Sequence, residues 1–254
     1  MEKSINIAYE RAEELKRLNF IESAIQKLDK KSLKIMDVGC GNGNISRYLG
    51  SKNYEVLGID ISEASILKAR ILNRFDNVSF RCLPAEALIG IQKFDVVVCS
   101  EVIEHLDDPK TVVNQLRKLL NPGGLLIVTV PNGFGPRELF ITKPLQWMKN
   151  SAPRLYSGVN KFKKSLGFSG ATVQSDAENL THVQFFTKSS LVNLISTDEM
   201  NLIGFKGSNF VEGVFPISLL SKKSIAVQKF DCWLADQLPV SLASGFMTAW
   251  TIKK

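Results

Sequence analysis

Residues 34–49 read "KIMDVGCGNGNISRYL". The stretch joins an apolar run, an acid, three glycines at alternate positions and the start of a helical pattern. An apolar run that ends in glycines and then takes up helical periodicity reads as the opening strand–turn–helix unit of an open α/β sheet. Glycines at such a turn remove Cβ atoms, so a ligand can lie against the backbone, and they allow the positive φ of a tight turn. Ligands of open α/β sheets bind beyond the carboxyl ends of the strands, which puts the Gly39–Gly43 loop at the binding edge.

Outward from that loop, short apolar runs alternate with helical patterns. "KIMDVG" leads into a helix from about Asn44, "YEVLGID" into one opening at Ser62, and "VSFRCL" into "PAEAL". "FDVVVCS" leads to "DDPKTVVNQLRKLL", where Asp108 is a natural N-cap, Pro109 suits the first helical position and "NPGG" stops the helix before "GLLIVTV". The runs "VVV" and "LLIVTV" are apolar on both faces, as a sheet covered by helices on each side requires. The pattern predicts an α/β fold with a doubly wound, mostly parallel sheet. After an irregular stretch, "TKSSLVNLISTDE" resumes a helix, "NLIGFKGSNF" a strand, "SKKSIAVQKFDCWLADQL" a helix and "GFMTAWTIKK" a last strand, which makes seven strands. Upstream, residues 8–29 form an amphipathic pattern with Leu15, Leu18, Ile21, Ile25 and Leu28 on one face.

Composition narrows the class. The 254 residues are 44% apolar and 22% charged, ordinary for a globular chain, and no apolar run nears the roughly 20 residues of a bilayer span. "MEKSINIAYERAEEL" has no secretory hydrophobic block, and the scattered Cys40, Cys82, Cys99 and Cys232 contain no Cys-x-x-Cys pair, so reduced thiols and a cytoplasmic location are expected. The net charge is +7. Between Phe134 and Phe168 lie seven basic residues and the single acid Glu138, so nearly all the excess is local. A basic segment interleaved with Phe134, Phe140, Trp147, Tyr156, Phe162 and Phe168 suits a lid over a lipid-like substrate or peripheral contact with an anionic membrane through 134–168. It also suits base stacking, or a cap whose aromatics pack on the core.

The ligand follows from the loop and the next acid. Asp60 lies 21 residues after Gly39, at the end of the second strand, where a carboxylate can accept both hydroxyls of a ribose. A dinucleotide fingerprint fails by one position, because the third glycine is Gly43 and Asn44 stands where a small residue is needed. Asp37 inside the loop would repel a pyrophosphate but suits an ammonium group. A ribose, a cationic end and little phosphate are the features of S-adenosylmethionine.

The series Asp-x-Gly-x-Gly-x-Gly, an acid closing the second strand, "FDVVVCSEVIEHL" and "LLNPGGLLIVTVPN" resembles a class I S-adenosylmethionine-dependent methyltransferase. Among these it is most similar to the ubiquinone-biosynthesis-type O-methyltransferases and related small-molecule methyltransferases. The resemblance runs from about Lys34 to Asn132 and resumes in "THVQFFTKSSLVNLI". It implies a Rossmann-like fold with an inserted lid after the fifth strand. The implied division is an N-terminal helix (1–30) covering the cosubstrate site, a cosubstrate core (31–132), an inserted substrate lobe (133–180) and the C-terminal part of the fold (181–254). By the same resemblance Asp37, Gly39 and Gly41 hold the methionine part, Gly43 opens the helix, and Asp60 binds the ribose. Ile61 flanks the adenine, Ala85 and Glu86 face its edge, and Ser100 meets the cosubstrate through its backbone.

"SEVIEHL" carries the second set of candidates. If the turn is helical, Glu101, Glu104 and His105 project to one side. Two carboxylates and an imidazole make a plausible divalent site, and His182, the only other histidine, could complete it. The pattern is similar to the metal set of small-RNA 2′-O-methyltransferases, which ubiquinone-type enzymes share. A metal there would lower the pKa of an attacking hydroxyl. A histidine packed without metal is the plainer alternative, and His182 or His105 as general base is the minimum claim. The chain has no Asp/Asn-Pro-Pro-Tyr/Phe after the fourth strand and no Pro-Cys, which argues against DNA-amine and cytosine-C5 methylation. The resemblance implies methyl transfer to an oxygen, less readily a nitrogen or carbon, of a small-molecule or lipid-linked acceptor, with RNA 2′-O-methylation or a non-catalytic cosubstrate-binding relative as alternatives; a nicotinamide-dependent oxidoreductase is disfavoured by the glycine spacing, and nucleic acid for want of a binding module.

Overall fold

The computed structural model describes residues 9–28, 30, 32–152, 154–155, 157–158, 182–212, 214 and 217–253. Seven strands form one sheet: β1 (Lys34–Val38), β2 (Glu55–Asp60), β3 (Val78–Cys82), β4 (Phe94–Ser100), β5 (Leu120–Pro131), β6 (Met200–Gly207) and β7 (Gly245–Ile252). Their spatial order is β3-β2-β1-β4-β5-β7-β6. β1 pairs in parallel with both β2 and β4, and β7 alone runs antiparallel between β5 and β6. The chain thus leaves β1 in one direction and returns to its other side for β4, which is the switch point of a doubly wound sheet.

Because side chains alternate across a strand, each face of the sheet buries its own core. On one face Met36, Val97, Leu126 and Trp250 pack with α4 (Pro109–Lys118) and α6 (Lys188–Ile195) through Val113, Leu116, Leu191 and Ile195. On the other, Ile35, Val96, Ile127 and Ala249 pack with α1 (Ala12–Ile25), α2 (Asn44–Ser51) and α3 (Glu63–Leu72). This two-sided burial is why the central strands are apolar throughout. Asp108 caps α4 by accepting the Thr111 amide at 3.1 Å, with Pro109 at the first helical position.

Local readings differ in places. The first helix is shorter than its amphipathic pattern, and Leu15 is exposed while Leu18, Ile21 and Ile25 are buried. "NPGG" does not act as a stop between elements. α4 ends at Lys118, and Asn121–Gly124 already belong to β5, where the register with β4 shifts between Phe94 and Val96. An irregularity of this kind accommodates the turn residues inside the strand. "PAEAL" forms only a short 3₁₀ turn, Ala85–Leu88.

After β5 the chain makes a π-helical turn, Glu138–Thr142, and α5 (Lys143–Ser151), which buries no residue. Tyr156, Phe162, Phe168 and the lysines at 161, 163 and 164 lie outside the described residues. α7 (Ile217–Ser221) and α8 (Ile225–Gln237) precede β7, and α8 lies along α1. The Ala12 amide donates to Gln228, and Lys16 Nζ to the Cys232 carbonyl.

Leu126 is fully buried in the middle of the sheet. Leu126→Ala is expected to lower stability by about 2–5 kcal/mol. Urea unfolding should show a lower midpoint with an unchanged m-value.

Candidate functional site

The sheet order sets the carboxyl ends of β2, β1 and β4 side by side, and the predicted cosubstrate residues lie along that edge. Gly39, Gly41 and Gly43 all have positive φ, 65°, 51° and 76°. A Cβ on Gly39 would stand 2.4 Å from Val102 Cγ2, and one on Gly43 2.5 Å from the Phe80 ring. Those two glycines are therefore demanded both by backbone conformation and by space. Asp60 ties the loop to β2: its Oδ2 accepts the Gly41 amide at 2.9 Å and its Oδ1 the Ser62 amide at 2.8 Å. From the far side the buried Arg47 guanidinium donates to the Asn42 carbonyl and to Asn44 Oδ1.

Asp37 is only 1% exposed and accepts the Ser46 hydroxyl at 2.6 Å. Burial pushes its carboxyl up to about 7, against the Ser46 hydrogen bonds and with a smaller push from the Asp60 charge. Ile61 is 80% exposed at the edge, Ala85 is buried, and Glu86 is exposed on the turn after β3. Ser100, at the end of β4, is buried with its hydroxyl 2.8 Å from Thr129 Oγ1. Cys99 is buried inside β4, and burial pushes its thiol up, which suits packing rather than nucleophilic chemistry.

Beyond Ser100 the geometry departs from the predicted helical face. Glu101 has φ 57°, and the short 3₁₀ turn begins only at Ile103. A left-handed conformation in a non-glycine residue is strained and is held by its surroundings. The Glu101 amide donates to the Thr129 carbonyl at 2.9 Å, and its Oε1 accepts the Thr129 hydroxyl at 2.9 Å. Arg17 of α1, itself buried, faces the same Oε1 at 3.8 Å. Glu101 therefore does not share one face with Glu104 and His105, because the turn it would need is not helical.

Among the described residues, Glu104, His105 and His182 form the one group whose donor atoms all lie within 4.8 Å of one another. Their assembly is a backbone event. The Val183 and Gln184 amides both donate to the Glu104 carbonyl, at 2.8 and 2.9 Å, which returns the chain to the β4 turn and sets the two imidazoles 5.2 Å apart. Glu104 Oε1 stands 3.8 Å from His105 Nε2. Burial, and then the charge of Glu101, pushes the Glu104 carboxyl well above the usual carboxylate range.

Three neighbours were not singled out as functional from the sequence. Glu138, from the inserted segment, is 1% exposed and sets its Oε1 3.4 Å from His182 Nδ1. Its only signal in the sequence is its being the lone acid in a basic stretch. Arg17 on α1 and Arg47 on α2 are both buried, and no motif in the sequence marks either. A small cavity of about 40 Å³ opens beside Glu101, lined by Glu13, Arg17, Arg137, Ser208, Asn209 and Met247 among others.

A seven-stranded sheet of this order, with a glycine loop and a neighbouring acid at adjoining strand ends, is the Rossmann-like fold of methyltransferases. The family described as "Methyltransferase domain" matches residues 8–198, and the chain belongs to it. It is 40% identical over 122 residues to a ubiquinone biosynthesis O-methyltransferase of Leptothrix cholodnii, covering 46% of this chain and 51% of that protein. It is 32% identical over 169 residues to the protein of the same name from Pseudomonas fluorescens, covering 65% and 70%. The chain thus spans about half the length of the first of these relatives. In fold it is similar to the plantazolicin methyltransferase BpumL in complex with a triazolic desmethylPZN analog and SAH, with TM-score 0.56, 17% identity and coverage of 96% and 85%. The N-methyltransferase NodS from Bradyrhizobium japonicum WM9, in complex with S-adenosyl-L-homocysteine, matches with TM-score 0.56, 11% identity and coverage of 100% and 95%.

Gly39→Ala is expected to cost at least about 1–2 kcal/mol from the left-handed backbone alone, before the clash with Val102. Thermal unfolding should register that loss, and the variant should bind adenosylhomocysteine more weakly than the parent.

Proposed function

We propose that the protein transfers a methyl group from S-adenosylmethionine to a hydroxyl oxygen of a small-molecule or lipid-linked acceptor by in-line displacement. The observation that carries this reading is the adjacency of the Gly39–Gly43 loop and Asp60 to the His105–His182 pair at one edge of the sheet. The names of the ubiquinone biosynthesis relatives support an oxygen acceptor.

In this reading Asp60 accepts the ribose hydroxyls, exchanging part of its present bonding to the loop. Ile61 covers one adenine face, and Ala85 and Glu86 border the adenine edge. Asp37, Gly39 and Gly41 seat the methionine end, Gly43 opens α2 beneath it, and the Ser100 backbone lines the floor. The cosubstrate brings an already activated methyl group, so the protein supplies alignment and removes one proton. His182 or His105 accepts that proton from the acceptor hydroxyl on a ring nitrogen.

Glu104, His105 and His182 also fit a divalent cation. They offer mixed carboxylate and imidazole donors, and the buried Glu104 Oε2 has no hydrogen-bond partner. Such an ion would make the acceptor hydroxyl more acidic. Residues 1–30 are assigned to covering the cosubstrate, 31–132 to holding it, 133–180 to the acceptor side and 181–254 to completing the fold. On the insert, Phe134, Phe140 and Trp147 are exposed among Arg137, Lys143 and Lys149, which supports peripheral contact with an anionic membrane. No helix among the described residues is long and apolar enough to cross a membrane.

Calorimetric titration tests the cosubstrate. The protein is expected to bind adenosylhomocysteine and not NAD, and Asp60→Ala to lose most of that affinity. Binding of NAD alone would overturn the assignment. Mass spectrometry of cell extracts incubated with deuteromethyl cosubstrate should reveal the acceptor as a species gaining a labelled methyl on oxygen.

Asp37 adds a pH signature. Its carboxyl titrates at about 7, so it is neutral below that pH and must ionise to face an ammonium group. Affinity for adenosylhomocysteine should therefore fall as pH drops through 7, toward a limit of about tenfold per pH unit, with a proton released on binding. Asp37→Asn should bind weakly with a flat profile, and an unchanged slope in that variant would remove Asp37 from the ammonium site.

A further inference from the structure

The cavity beside Glu101 lies across β4 from the glycine loop. The ends of β4, β5 and β7 border it, whereas Asp37 and the Gly39–Gly43 loop do not. Its volume of about 40 Å³ is room for roughly three water molecules or for one carboxylate group. Four charged residues line it, and three of them are matched: Arg17 stands 3.8 Å from Glu101, and Glu13 3.5 Å from Arg11. The side chain of Arg137, exposed on the insert, has no ion pair or hydrogen bond among the described residues. Two further donors of lining residues are also unmatched. Arg17 Nη1 is buried without a hydrogen-bond partner. Asn209, 3% exposed, takes the Ser208 hydroxyl on Oδ1 and leaves its Nδ2 unbonded among the described residues. Spare donors and one spare positive charge around a space of that size call for an anionic oxygen ligand.

We propose that Arg137 holds a carboxylate of the acceptor in this cavity, so that the molecule methylated is a hydroxylated carboxylic acid. The inference rests on the methyl-transfer reading and adds the acceptor's charge to it. Glu101 follows Ser100 directly, and Arg137 precedes Glu138, whose Oε1 is 3.4 Å from His182 Nδ1. An acid group seated here leaves the rest of the acceptor between the end of β4 and the histidines. A guanidinium presents paired N–H groups to a carboxylate, and the Asn209 amide can donate to the same oxygens. A phosphate fits less well, because its second charge would meet Glu13 and Glu101 on the same wall. The carboxylate takes no part in the transfer; it fixes which hydroxyl faces the methyl group. The cosubstrate's own carboxylate is the other source of this chemistry. The position of the cavity, across β4 from the Gly39–Gly43 loop, favours the acceptor.

The test is calorimetric titration of the full chain, saturated with adenosylhomocysteine, with 4-hydroxybenzoate and with its neutral counterpart 4-hydroxybenzyl alcohol. Wild type is expected to bind the acid about ten- to a hundredfold more tightly than the alcohol, the range of a charged hydrogen bond. Arg137→Gln should remove that preference. Arg137→Lys, which keeps the charge and loses the paired donors, should keep part of it. Adenosylhomocysteine affinity, measured beforehand, should be the same in all three proteins, which shows that each is folded and that the guanidinium does not serve the cosubstrate. A fall in that affinity in Arg137→Gln, absent with methylthioadenosine, which lacks the carboxylate, assigns Arg137 to the cosubstrate and overturns the proposal. Equal affinity of wild type for acid and alcohol, binding of neither, or a preference that survives in Arg137→Gln overturns it too. Failure of wild type to take up adenosylhomocysteine overturns the methyl-transfer reading itself, and the proposal with it.

Discussion

Parallel pairing of β1 with β2 on one side and β4 on the other is the constraint from which the site follows. It aligns the carboxyl ends of three strands, so Asp37, Asp60 and Ser100 come to one edge from distant parts of the chain. The loop that leaves β1 there has to turn within a few residues beneath Val102, and only glycine satisfies both its backbone and its space. Asp60 then holds the Gly41 amide, so the acid suited to a ribose also shapes the loop in its absence.

The antiparallel β7 extends this logic to the segment that follows β5. It runs back along β5 and brings Gly245 opposite Pro131, beside the inserted segment. Gly133 donates to the Phe186 carbonyl, and Val183 and Gln184 to the Glu104 carbonyl, so both ends of the insert are stitched to the sheet. The histidines meet because of those backbone bonds. No side-chain attraction between two imidazoles would bring them together.

Several buried charges lie around α1, α8 and the loop after β6, and they are met in different ways. Asp231 accepts the amides of Phe210, Val211 and Glu212, a fully hydrogen-bonded carboxylate. Glu212 is paired with Arg11 at 2.7 Å, which fastens the start of α1 to the loop after β6. Burial raises the Glu212 carboxyl, and Arg11 partly offsets it. These anchors set α1 across the sheet and carry Arg17 to Glu101. Glu104, Glu138 and Glu212 each keep a buried Oε2 without a hydrogen-bond partner, whereas Asp231 has both oxygens bonded.

The doubly wound sheet, the glycine loop and the acid closing the second strand were legible in the residues, because strand burial and turn conformation are short-range demands. Apolar runs such as "VVVCS" can only be strands covered on both faces, and Gly39 and Gly43 can only be glycine where they stand. The environment of the second acid cluster was not legible. Spacing placed Glu101, Glu104 and His105 together, but the left-handed turn at Glu101 separates the first from the others, and a local break in helix is set by tertiary contacts to Thr129 and Arg17. Glu138 and His182 are 44 residues apart in the chain and neighbours in space. Periodicity encodes which face of an element is buried, whereas the meeting of two loops depends on where the sheet ends, and that is decided only by the folded chain.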